Sequence, residues 1–249
     1  TEAADSQALV AQLNEYLGEM VECVFRHEGT LDKFIGDAVM AVWGNVRVRT
    51  EREDAVSAVR AALDMLAALE RLNAGWRARG VTELHIGVGL NHGEVIVGNL
   101  GAPRRKEFTV IGDAVNLASR LGVTKEYGLA LVLGESVAEH ARAEFVVQAV
   151  DFIRVKGKTR PVAIFTVRPA RDVSLEVYER ALADYRAGRF AQARDGFADA
   201  ARLAAMPGAA PAPGVGRDPL PTLYLKRCDA MLANPPGADW DGVFVMRSK

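Results

Sequence analysis

The stretch LDKFIGDAVMAVWG, residues 31–44, passes from apolar, β-type sequence into a tight turn and back again. Its two short runs flank Gly36-Asp37, and two such runs around a Gly-Asp step are typical of a β-hairpin. Apolar residues recur at spacings of three and four over residues 6–26 before it and over 52–79 after it. The sequence therefore predicts a helix, a hairpin and a second helix.

Two further stretches continue this pattern, namely HIGVGLNHGEVIVGNLG at 85–101 and FTVIGDAVNLASRL at 108–121. Residues 84–90 alternate between apolar and other side chains, which predicts a strand with one buried face. Turn-type residues at 91–94 predict a hairpin with a second strand at 95–97. Another strand is predicted at 108–111, and Asp113 is a good N-cap for a helix to about Leu121. Weaker strands are predicted at 129–133 and 145–147, and a final hairpin at 151–155 and 162–167.

Strands joined by tight turns imply a largely antiparallel sheet with helices packed on one face. The predicted fold class is therefore α+β, with a ferredoxin-like, antiparallel-rich sheet and a C-terminal α-helical extension. Composition shifts after residues 168–169, and residues 174–206 read as a helical pair that resembles one tetratricopeptide-type unit. We predict a domain over residues 1–169 and a helical tail over 170–249 that packs on this domain or on a partner copy.

The composition is that of an ordinary globular protein, with 49% apolar and 25% charged residues and a net charge of -1. This charge gives no reason to expect a nucleic acid polymer as partner. No apolar run approaches the roughly 20 residues needed to cross a bilayer, which predicts a cytoplasmic domain. The chain begins at Thr1 rather than Met, so a sensor or membrane region upstream is left open. The two cysteines and four histidines show no metal-ligand spacing.

Lys33 and Asp37 flank the predicted turn, so a cation and a carboxylate can both reach one polar site beside the turn. A carboxylate at such a place supplies the hard oxygen that Mg²⁺ prefers, since Mg²⁺ keeps few protein ligands and binds substrate phosphates. The alternative is that Asp37 is only a turn residue. From this pattern alone the turn role is favoured, because Gly-Asp is common in turns.

Asn116 and Arg120 lie four residues apart on the helix predicted after Gly112, which puts them on one helical face. An amide can orient a ribose, and a guanidinium can bind phosphate oxygens in a fixed fork. The alternative is a solvated polar face without any ligand.

In order and spacing, the three stretches together resemble the catalytic domain of class III nucleotide cyclases, over about residues 1–168. The resemblance implies an adenylyl cyclase that converts ATP to cyclic AMP and pyrophosphate. It implies that Asp37 is one of two aspartates that hold two Mg²⁺ (or Mn²⁺) ions per active site. It also implies that Asn116 orients the ribose and that Arg120 stabilises the charged phosphorus centre.

The resemblance further implies that Lys33 and Thr109 read the adenine base, a Lys/Thr combination similar to the IIIb subclass. Lys33 would donate to a ring nitrogen, and the Thr109 hydroxyl would accept from the exocyclic amine. Lys156 matches a lysine that contacts the triphosphate, with Lys158 as a looser candidate. The plainer alternatives are a β-branched strand residue at Thr109 and a solvated hairpin turn around Lys156.

By the same resemblance the enzyme is a homodimer, with metal ligands from one subunit and base and transition-state residues from the other. The strand that carries the first metal aspartate is expected before Thr1, and we expect it in the full-length protein. The main rival is a degenerate cyclase-like module that dimerises and holds nucleotide for regulation. A protein-interaction role of the tail is a second rival, and a diguanylate cyclase a weaker one, because Gly-Gly-Asp/Glu-Glu-Phe is absent.

Overall fold

The computed structural model describes residues 2–45, 49–122, 125–153, 161–237 and 240–243. Its helices and strands follow one another along the chain in the order α1 Glu2–Arg26, β1 Thr30–Ile35, β2 Ala38–Val42, α2 Glu51–Ala78, β3 Val88–Leu90, β4 Ile96–Ala102, β5 Arg105–Ile111, α3 Asp113–Gly122, a 3₁₀ turn Lys125–Tyr127, β6 Leu131–Gly134, α4 Glu135–Ala141, β7 Val146–Ile153, β8 Val162–Arg168, α5 Val173–Arg186, α6 Phe190–Leu203 and α7 Leu220–Ala233.

The described strands form three sheets. β1 pairs with β2 and β4 with β5 as separate two-stranded ribbons, while the third sheet has the order β3-β6-β8-β7. All pairings are antiparallel except that of β3 with β6. The predicted α+β class with antiparallel-rich sheets and C-terminal helices is confirmed.

The predicted hairpin between residues 84–90 and 95–97 is wrong. Residues 84–88 alternate between half-buried and exposed as expected, but only Val88–Leu90 pair, and they pair with β6. The reason is that a side chain, not a neighbouring strand, forms the main-chain hydrogen bonds of Leu84. The Asn73 amide donates to the Leu84 carbonyl and accepts from the Leu84 N–H, both at 2.9 Å. β4 instead forms its hairpin with β5.

Both faces of the four-stranded sheet are covered by helices, so the prediction of helices on one face is also wrong. Along β6, Leu131 and Leu133 belong to a core with α2 and α4, whereas Val132 belongs to a core with α3 and the tail. All four residues of β6 are buried, as expected for a strand between two layers. The sequence reasoning missed this because the tail supplies the second layer.

The two longest helices, α1 and α2, pack against each other through Met20, Val24, Leu69 and Trp76. Thr50 caps α2 in a capping box with Glu53, which fixes where this helix begins. Within the described part of the chain, no helix is both long and apolar enough to span a membrane.

The tail helices α5–α7 share a core with α3, in which Leu117 and Leu121 accompany buried tyrosines of the tail. Two buried ion pairs join the tail to the sheet. Arg227 of α7 contacts Asp151 of β7 at 2.6 Å, and Arg168 of β8 contacts Asp218 at 2.7 Å. The tail thus packs on the rest of its own chain, while the functional division at residue 169 stays a prediction.

Candidate active site

The β1–β2 hairpin presents Asp37 at its tip. Ile35 and Ala38 pair directly, so Gly36 and Asp37 form a two-residue turn. Gly36 has a φ of 63°, a left-handed conformation that glycine adopts without steric cost at this place in a hairpin turn. The predicted hairpin is therefore confirmed, and Asp37 is exposed. Its role as a metal ligand stays a prediction.

Asp32 occupies a β-bulge in β1, because Leu31 pairs with Ala41 and Lys33 already pairs with Met40. Such an extra residue bends the strand and re-aims its side chain. The Asp32 carboxylate is only 5% exposed, and it accepts a hydrogen bond of 2.7 Å from the Thr109 hydroxyl on β5. This bond joins the β1–β2 ribbon to the β4–β5 ribbon.

Lys33 belongs to the same network. Its Nζ lies 3.8 Å from Asp32 Oδ2 and donates to Glu107 Oε2 at 3.2 Å. The hydrogen bond and charge of Lys33 hold the pKa of Glu107 below its ordinary value. The structure therefore brings the two predicted base readers, Lys33 and Thr109, together in one chain.

Sequence reasoning missed Asp32 and Glu107. Both lie next to residues that it singled out, but their contacts connect separate hairpins, and no local spacing predicts such a pairing. In the structure, β1 has six residues and its partner β2 has five. A one-residue mismatch across a tight hairpin is typical of a bulge.

Helix α3 carries Asn116 and Arg120 on an exposed face, and the adjacent Leu117 and Leu121 are buried. The Ser119 hydroxyl donates to the Asn116 carbonyl at 2.9 Å within the helix. The predicted common face of Asn116 and Arg120 is confirmed, while their catalytic roles stay predictions.

Two glycines allow α3 to approach the chain around β3 backbone to backbone. A Cβ on Gly89 would lie 2.2 Å from the Ala118 carbonyl oxygen, and one on Gly87 would lie 2.0 Å from that of Gly122. Only glycine tolerates such an approach. This close approach fixes where α3 presents its polar face.

The donor set at the hairpin tip fits part of a magnesium site. Asp37 offers one exposed carboxylate, and Mg²⁺ commonly takes one or two carboxylates together with substrate phosphates. The second aspartate that the resemblance implies stays a prediction. Lys156 and Lys158, the predicted triphosphate contacts, lie outside the described residues.

Comparison with known proteins identifies the family that this sequence matches. Residues 1–168 match the family model of the adenylate and guanylate cyclase catalytic domain. Adenylate cyclase 1 of Rhizobium meliloti is 34% identical over 168 residues, which cover 67% of this chain and 25% of that protein. The adenylate cyclase of Anabaena cylindrica is 33% identical over 176 residues, 68% of this chain and 34% of that protein. The chain thus spans only a quarter to a third of these relatives.

Solved structures show the same likeness. The adenylyl cyclase CyaB from P. aeruginosa superposes with a TM-score of 0.61 and 37% identity, covering 66% of this chain and 84% of that one. The guanylyl cyclase Cya2 gives a TM-score of 0.60 and 30% identity, covering 68% and 84%. Because the family model and these relatives cover the same two thirds of the sequence, this chain belongs to the family of adenylate and guanylate cyclase catalytic domains.

Proposed function

We propose that this chain is the catalytic part of an adenylyl cyclase, which converts ATP to 3′,5′-cyclic AMP and pyrophosphate. Fold likeness alone does not choose the nucleotide, since an adenylyl and a guanylyl cyclase superpose almost equally well. The choice rests on the hydrogen bond from Thr109 to Asp32.

A hydroxyl has one proton to donate, and the ionised Asp32 carboxylate is an acceptor only. With its proton committed to Asp32, Thr109 Oγ1 has only acceptor capacity left for a ligand. Adenine presents an amino donor at N6, where guanine presents the acceptor O6. The arrangement therefore favours adenine, with the Lys33 ammonium as a donor to a ring nitrogen.

In the proposed reaction the ribose 3′ hydroxyl loses its proton to solvent and its oxygen forms a bond to the α-phosphorus, while the bond from the α-phosphorus to pyrophosphate breaks. Asn116 orients the ribose, and the Arg120 guanidinium offers fixed donors where negative charge develops. Asp37 would hold divalent Mg²⁺ or Mn²⁺ with a second aspartate; two bound ions would neutralise phosphate charge and acidify the attacking hydroxyl. Lys156 remains the proposed triphosphate contact.

Exposed apolar side chains support assembly as a homodimer. Ile35 at the hairpin tip is 59% exposed, and Ile96 and Phe108 on the β4–β5 ribbon are 67% and 66% exposed. Isolated two-stranded ribbons are marginally stable in water, and grouped apolar exposure marks an interaction surface. We propose that a two-fold partner covers these residues and that, as the resemblance implies, the Asp37 of one protomer and the Arg120 of the other serve one site.

The test is product analysis with ATP and with GTP on the full-length chain. Asp37→Ala and Arg120→Ala should each abolish cyclic AMP formation without unfolding the protein, whereas Arg202→Ala, at an exposed tail residue, should leave it unchanged. Mixing the two inactive variants should restore part of the activity, because one hybrid site is complete. Absence of cyclic AMP from the wild type, or no recovery in the mixture, would overturn the proposal.

A second candidate is a cyclase-like module that dimerises and binds nucleotide but does not convert it to a cyclic product. One observation favours it: the only group of three or more potential metal ligands found among the described residues does not include Asp37. Nucleotide binding with an intact dimer but without product would support this second function.

A further inference from the structure

Three side chains from separate elements converge on one surface point away from the residues discussed so far. They are Glu51 at the start of α2, His92 in the loop after β3, and His140 in the last turn of α4. Glu51 Oε2 lies 3.6 Å from His140 Nε2 and 4.0 Å from His92 Nε2. The spacing of the histidines along the chain gives no sign of this group, because the fold brings the three side chains together.

The distances are close to those of a tetrahedral metal centre. Zn²⁺ bonds to imidazole nitrogen and carboxylate oxygen are about 2.0 to 2.2 Å long, so neighbouring ligand atoms lie about 3.3 to 3.6 Å apart. The three candidate ligand atoms all lie within 4.8 Å of one another. The Glu51 side chain is 70% exposed, so its carboxylate can change rotamer towards an ion bound by the two imidazoles.

The two imidazole rings are not stacked, since they meet edge to face at 87° with centroids 5.5 Å apart. A hydrogen bond to the other ring nitrogen also orients His92, because its Nδ1 lies 2.9 Å from the Ser136 hydroxyl on α4. When Nε2 of a histidine binds a metal, Nδ1 carries the proton and donates to such a partner. The Ser136 hydroxyl can accept from Nδ1–H, so this contact is compatible with the ring tautomer that leaves Nε2 available as a ligand.

The supporting elements are held by the protein core. α2 and α4 pack together through Val59, Ala138 and Ala141, all of which are completely buried. The His92 and His140 side chains remain 33% and 28% exposed, so solvent can supply a fourth ligand. A rigid base with an open position suits a metal ion that carries a water molecule.

We propose that Glu51, His92 and His140 bind one divalent transition-metal ion, with Zn²⁺ as the ion that suits two imidazoles, one carboxylate and a water. Imidazole ligands discriminate against Mg²⁺, which requires oxygen. The site therefore binds Zn²⁺ in the presence of excess Mg²⁺. It ties the start of α2 to α4 and to the loop that leads from β3.

The experiment measures Zn²⁺ binding to the chelator-treated full-length protein by competition with a chromophoric zinc indicator, with millimolar Mg²⁺ present throughout. One equivalent of Zn²⁺ per chain is expected. His140→Gln and Glu51→Gln should each weaken binding by about tenfold or more, and Ser136→Ala by about tenfold. His85→Gln is the matched control, because His85 is exposed and outside the cluster, and it should bind as the wild type does.

Thermal unfolding of each variant without metal shows whether it is folded, and Zn²⁺ should raise the unfolding temperature of the wild type but not of His140→Gln. X-ray absorption of the zinc-loaded protein should show two imidazole ligands. Failure of the wild type to take up Zn²⁺, or equal affinity in folded His140→Gln, would overturn the proposal. Neither outcome bears on cyclase activity, so this site and the proposed function are tested separately.

Discussion

Replacing Asp32 by asparagine keeps the size of the side chain but removes its charge, which tests how the base is selected. In the wild type the carboxylate accepts the Thr109 proton at 2.7 Å and lies 3.8 Å from Lys33 Nζ. An amide can turn its NH₂ group towards Thr109 Oγ1. The Thr109 hydroxyl would then be free to donate, which suits the guanine O6 acceptor rather than the adenine amine.

The size of the effect follows from the bond that is lost. A hydrogen bond to a charged group contributes about 1.5 to 3 kcal/mol, and Asp32 is only 5% exposed, so solvent does not replace it. If this whole energy contributes to the discrimination between adenine and guanine, the ratio of kcat/KM for ATP to that for GTP falls by about 10- to 150-fold. Because Asp32 contacts Thr109 and Lys33, the two proposed base readers, most of the loss should fall on the ATP reaction.

The assay is steady-state turnover of ATP and GTP by Asp32→Asn, Thr109→Val and the control Asp195→Asn, whose side chain is 83% exposed. Thermal unfolding checks that each variant is folded. Thr109→Val removes the acceptor itself and should reduce the same ratio. If Thr109→Val loses ATP preference while Asp32→Asn keeps the wild-type ratio, then Asp32 does not orient Thr109 and the reasoning is refuted.

Two further predictions concern the interior. Burial lowers the pKa of Arg227, but the charge and hydrogen bond of Asp151, together with Tyr224 and Tyr127, raise it, and the net shift is upward. The guanidinium therefore stays charged beside Asp151, with both side chains 3% exposed. Arg227→Met leaves the buried Asp151 carboxylate without its cationic partner and should lower the free energy of unfolding in urea by about 3 to 5 kcal/mol. The double variant Arg227→Met with Asp151→Leu should recover at least half of that loss. A loss below about 1 kcal/mol in the single variant would contradict this. Burial raises the pKa of Cys228 to about 12 and also raises that of Cys23, and both thiols are fully buried. At pH 8 a disulfide reagent should therefore label neither thiol in the native protein and both after unfolding, and rapid native labelling would show that this interior opens readily.

The sequence predicted those parts of the site that depend on local chain geometry. The turn at Gly36-Asp37 and the shared face of Asn116 and Arg120 each follow from spacing over a few residues, and both are present. The bulge at Asp32 and the convergence of Glu51 with two histidines were not predictable in this way. They depend on which hairpins and helices meet, and one bulge residue changes the direction of a side chain without leaving a periodic signal.

The error at residues 84–90 has a similar origin. Alternation correctly predicted which side chains face inward, but it contains no information about what occupies the backbone hydrogen bonds. There Asn73 holds Leu84 through two bonds of 2.9 Å, and the ladder begins only at Val88. A pattern of side chains thus predicts the exposure of a strand better than it predicts its partner.

Helix α3 connects the candidate site with the tail. On one side, Gly87 and Gly89 let the helix approach the chain around β3 so closely that a methyl group on either glycine would meet backbone oxygen. On the other side, Leu117 and Leu121 belong to the core that the tail helices complete. The direction of Asn116 and Arg120 is therefore set by both contacts, although the tail supplies none of the residues assigned to the nucleotide. For this reason we expect the tail to influence turnover through the position of α3, so that loosening it with Arg227→Met should lower kcat more than it changes the KM for ATP.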